Sequence, residues 1–79
     1  MRILYLATAG AADPTRASLS LHIAANGSVE EGQECAIALV GDGTELASHD
    51  AAERLEGIGI PPVRELLRKL LDHAVPVYV

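Results

Sequence analysis

Ile3-Leu4-Tyr5-Leu6-Ala7-Thr8-Ala9-Gly10-Ala11-Ala12-Asp13-Pro14-Thr15-Arg16 is the stretch that decides the fold. Its first five residues are apolar without alternation. That suits a short strand covered on both faces, as in a parallel sheet, and is far too short for a membrane span. Small residues follow, and then Asp13-Pro14. The Asp13 carboxylate can accept from the free amides of a first helical turn, and proline fits the first helical position because no amide hydrogen is needed there. The order is therefore strand, glycine-containing loop, helix. In open α/β sheets ligands bind outside the carboxyl ends of strands, beside helix N-termini. Thr8, Gly10, Asp13, Thr15 and Arg16 are thus the first candidate ligand-binding residues. Gly10 would allow close backbone approach, and Arg16 offers a fork of donors.

Working outward, helix one should run from Pro14 to about Glu31, with Gly32 as its left-handed stop. Ala17, Leu21, Ala24, Ala25 and Ser28 fall on one face of small residues that can lie close on a sheet. Glu34 to Val40 reads as a second unbroken apolar strand, again central or covered on both faces. It runs into Gly41-Asp42-Gly43, a sharp turn, with Asp42 or Thr44 available to cap a short helix to about Ala47. If the strands are parallel, Gly41, Asp42 and Gly43 join the first loop at the same sheet edge. Asp42 there is either a ligand contact or a turn-capping residue. Ser48 to Gly59 is the least regular stretch, with a short helix over Ala51, Ala52 and Leu55. Val63, Leu66, Leu67, Leu70 and Leu71 then recur at helical spacing and form one apolar face. Glu65 and Lys69 make an i, i+4 pair on the other face. Ala74 to Val79 completes the pattern as strand three, with Pro76 near its start.

This β-α-β-α-α-β order predicts a single α/β domain over residues 1–79. We expect a parallel sheet in three layers with helices on both faces, flavodoxin-like or Rossmann-like, with strand order 2-1-3 and right-handed crossovers. The pattern ends inside a strand. Either subunits pack together to hide the open sheet edges, as in a homo-oligomer, or the natural chain continues and this one is truncated.

The chain has 79 residues, a formal net charge of −5, two tyrosines and no Trp or Phe. Nucleic acid is a poor partner for such a surface, because phosphate backbones demand basic patches and single strands demand exposed aromatics. No apolar run reaches membrane-helix length and no signal-like start is present, so we expect a soluble, cytoplasmic protein that does not engage a membrane. The one cysteine, Cys35, excludes an internal disulfide and a thiolate cluster, and the three histidines lack metal-ligand spacing, so no metal or cofactor is expected. Cys35 is the only candidate for thiol chemistry. Its place beside Glu34, inside an apolar strand, favours a core role over a reactive one.

Ala7-Thr8-Ala9-Gly10 with Asp13-Pro14-Thr15-Arg16-Ala17, then Ala38-Leu39-Val40-Gly41-Asp42-Gly43, then Gly57-Ile58-Gly59-Ile60-Pro61-Pro62-Val63-Arg64-Glu65-Leu66-Leu67 and Ala74-Val75-Pro76-Val77-Tyr78-Val79 form an ordered set. Together they resemble the DsrE/DsrF-like family of small α/β proteins connected with sulfur relay. The resemblance implies an oligomer that hands persulfide sulfur between a donor and an acceptor protein. Relatives carry their sulfur on a cysteine after the third strand. That cysteine has no counterpart here, and Cys35 does not match it, so no enzyme activity is assigned. The alternatives are a non-catalytic module binding a small ligand or anion, and a structural subunit of a hetero-oligomer.

Overall fold

The computed structural model describes residues 2–79, apart from the side chain of His49. Strand β1 spans Arg2–Ala7 and α1 spans Pro14–Ile23. Asp13 caps α1 as expected: the Arg16 amide donates to its carboxylate at 3.1 Å. The winding continues past Ile23 as a π-helical turn, Ala24–Ser28, and a further turn ends at Gly32 with φ +72°. The helix expected up to Glu31 is therefore present as an α segment and a wider one. Its small-residue face is buried throughout, at Ala17, Leu21, Ala24, Ala25 and Ser28.

Strand β2 spans Glu34–Leu39. It leads into a 3-10 segment, Gly41–Ala47, and helix α2, His49–Arg54. Neither Asp42 nor Thr44 caps in the expected way; the Thr44 hydroxyl donates back to the Gly41 carbonyl at 2.8 Å. Helix α3, Val63–Asp72, buries Val63, Leu66 and Leu70, each contributing about 1.5–3 kcal/mol on removal from water. Leu71, expected on that face, is 66% exposed because the contact stripe is narrower than the sequence pattern. Lys69 does not pair with Glu65. It reaches across to Asn26 Oδ1 at 2.9 Å and to the Glu30 carboxylate, tying α3 to the end of the π-helical turn. Strand β3 is only Val77–Tyr78. Ala74 turns left-handed and Pro76 has no amide to donate, so pairing begins later than the expected Ala74.

All three strands are parallel, in the order β1-β2-β3. The expected order 2-1-3 and the expected third layer are both corrected, for one reason. When successive right-handed crossovers move across a sheet in one direction, their helices fall on the same face; reversing direction after the first crossover puts them on opposite faces. Here the chain never reverses. The helices share a single core with Ala7, Cys35, Ile37 and Leu39. The other sheet face carries Leu4 and Leu6, 60% and 58% exposed, so the strands are not covered on both sides.

Candidate functional site

The carboxyl ends of β1 and β2 bring the two expected loops together. Gly43 lies so close to the Ala7 carbonyl that a β-carbon would overlap it, and Gly10 is pressed in the same way against the Glu45 carboxylate and the Asp42 carbonyl. These two glycines are demanded by close approach of backbones. Thr8 and Asp42 are exposed at this junction, and Gly41 turns with φ +54°. The other candidates lead elsewhere. The Thr15 hydroxyl accepts from the Ile58 amide at 3.0 Å and so fastens the loop before α3 to the start of α1. The exposed Arg16 guanidinium lies 3.8 Å from the Asp13 carboxylate.

An anion at this edge would need free amides, yet the chain supplies its own anions. Asp13 takes the Arg16 amide, and Glu45 Oε1 accepts from the Ala11 amide at 2.9 Å. Two carboxylates already stand where a small anion would bind, and they would repel it. Glu45 escaped sequence reading because it meets its partner 34 residues away, and no local motif marks that contact.

Cys35 points from β2 into the core. It also borders an open cavity of about 660 Å³ at the opposite, amino-terminal end of the strands, with Val29, Gln33, His73, Val75 and Tyr78. Burial pushes its thiol pKa up, which disfavours the thiolate that sulfur chemistry requires. His73 faces the same cavity, but its Nδ1 is engaged with the Lys69 carbonyl at 2.9 Å. No group of three or more potential metal ligands exists among the described residues, and no helix among them is long and apolar enough to cross a membrane.

Exposed apolar residues also gather on the uncovered sheet face. Strand pairing places Leu6, Ala38 and Tyr78 in one row across all three strands, and Leu4 beside Ala36 in the next. Tyr78 is 59% exposed. The alanines form a low floor between a leucine ridge on β1 and the tyrosine on β3. At the amino-terminal end of the same face Arg2 and Glu34 pair across β1 and β2, with Nε and Oε2 2.6 Å apart. No family model, curated protein or solved structure matches the chain.

Proposed function

We propose that this chain is a non-catalytic assembly subunit of the DsrE/DsrF-like type, which presents the bare face of its sheet to another polypeptide. The exposure of Leu4, Leu6 and Tyr78 on one contiguous face carries this reading. Apolar side chains gathered on one exposed face are the mark of an interaction surface, whereas scattered ones are ordinary. The competing ligand reading has less support, since loop amides at the carboxyl edge are occupied by Asp13 and Glu45. Sulfur relay, which the resemblance implies, draws no support from Cys35, the one cysteine of residues 1–79, whose thiol is buried and held neutral.

An environment-sensitive apolar dye tests the reading on dilute protein. Its fluorescence should rise with the wild-type chain and not with the Leu4→Lys/Leu6→Lys double variant. The two proteins should melt within about 0.5 kcal/mol of each other, because both leucines are exposed. An equal dye response from both proteins would place the apolar site elsewhere and end the reading.

A further inference from the structure

We infer that the occupant of the bare face is a second copy of this chain, stacked sheet on sheet about a two-fold axis that runs parallel to the strands, midway between β1 and β2. The inference rests on the assembly reading above and deepens it.

Three facing pairs carry it. Outward residues of β1 and β2 are in register as Arg2 with Glu34, Leu4 with Ala36 and Leu6 with Ala38. The stated axis lays β1 of each copy over β2 of the other, so the same three pairs recur between copies. The leucine ridge of one copy then fills the alanine floor of the other. This alternation of large and small side chains is what lets two layers interdigitate at the usual sheet separation of about 10 Å. At the end of the face Arg2 meets Glu34 of the second copy and Glu34 meets its Arg2. Two intramolecular ion pairs become one cluster of alternating charge. No ionisable group other than Tyr78 stands among Leu4, Leu6, Ala36, Ala38 and Tyr78, so nothing charged is trapped unpaired. Tyr78 lies in line with Leu6 and overhangs the free edge of β1 in the stack.

Other axes fit less well. An axis midway along the sheet's width, over β2, sets leucine against tyrosine and alanine against alanine, a clash beside a void. An axis across the strands sets β1 on β1, with leucines on leucines. The patch is small: two six-residue strands and the two-residue β3, about 4.8 Å apart, offer far less than the ~800 Å² per partner of a tight complex. A dimer that dissociates on dilution is therefore expected.

Sedimentation equilibrium of the wild-type chain, from dilute protein to the highest soluble concentration, should show the 8.3 kDa monomer passing into a dimer. Leu6→Lys should weaken the dimer by ~100-fold or more. Arg2→Glu and Glu34→Arg should each weaken it about tenfold, and the double exchange should restore it. Ala36→Leu decides the matter. It makes the face more apolar but fills the floor, so the stack predicts about tenfold weaker association. Indiscriminate apolar attraction predicts the opposite. Far-UV circular dichroism and melting confirm that each variant is folded. In a mixed-isotope sample, filtered NMR should detect contacts between Leu4 and Ala36 methyl groups of different copies.

Association by Ala36→Leu equal to or tighter than that of wild type overturns the two-fold stack. So does a wild-type chain that stays monomeric throughout. In either case the assembly reading is judged separately by the dye experiment, which is made on monomer and needs no second copy.

Discussion

Two left-handed residues end the two long helical segments, and they are not equivalent. After the π-helical turn the Gln33 amide donates to Ser28 and the Gly32 amide to Val29. After α3 the Val75 amide donates to Leu70 and the Ala74 amide to Leu71. Both are the same C-terminal motif, with its hydrogen bonds running six-to-one and five-to-two. Glycine occupies the left-handed position in the first, but alanine, with φ 56°, occupies it in the second. Alanine tolerates that backbone at a cost that glycine avoids. Ala74→Gly should therefore stabilise the chain by about 1 kcal/mol, raising the melting temperature by roughly 4–8 °C in a domain of this size. A lower melting temperature would mean that the glycine's extra freedom when unfolded outweighs the relief. Elsewhere glycine is needed for space: Gly10 and Gly43 admit neighbouring backbone and carboxylate where a β-carbon would collide.

At the scale of elements, the π-helical turn is joined to the sheet by a small polar chain. The Tyr5 hydroxyl lies 2.6 Å from Ser28 Oγ, which in turn donates to Gln33 Oε1 at 3.3 Å. Ser28 is almost wholly buried, so its hydroxyl is satisfied only by Tyr5 and Gln33, while the half-buried Tyr5 hydroxyl is paired with Ser28. Tyr5→Phe leaves Ser28 with Gln33 alone and Ser28→Ala takes the partner of the half-buried Tyr5 hydroxyl, whereas removing both strands neither hydroxyl. Tyr5→Phe and Ser28→Ala should each cost about 1–2 kcal/mol, and the double variant less than their sum. Denaturant titration of the four proteins measures the coupling; strict additivity would mean that the two hydroxyls act independently. The Glu30–Lys69 pair secures the same region from α3, with Lys69 holding the Glu30 carboxyl below its ordinary pKa. Both contacts join elements distant in sequence, and both lie where the helical winding widens.

For the whole molecule, strand order has a direct consequence for amide exchange. The Ala7 carbonyl accepts from the Val40 amide, so Ile3, Tyr5 and Ala7 direct their backbone groups toward β2. Leu4 and Leu6 direct theirs to the free edge. On dilute, monomeric protein the amides of Leu4 and Leu6 should exchange rapidly. That of Ile37, which donates to Pro76 at 2.9 Å in the middle of the sheet, should exchange slowly. Slow exchange at Leu4 and Leu6 in the monomer would mean that β1 is flanked on both sides, as in the order 2-1-3. The unreversed strand order also explains why apolar residues of β1 look outward: no helix among the described residues returns over that face.

Sequence alone determined whatever depends on near neighbours. Asp13-Pro14 started α1 because capping acts within one turn, Gly32 stopped the winding because its left-handed conformation is local, and spacing placed Val63, Leu66 and Leu70 in the core. The parallel α/β class followed from strands separated by helical crossovers. The candidate loops at the carboxyl ends of β1 and β2 were legible too, as was their meeting. Their chemistry was not, because the Glu45 contact spans 34 residues. Only tertiary structure decided on which side of β2 the third strand would lie, and with it the number of layers. An apolar strand such as Ile3-Leu4-Tyr5-Leu6 satisfies a sheet covered on both faces and equally one whose bare face awaits another chain. Burial within the monomer alone distinguishes the two, and that depends on which way the last crossover turns.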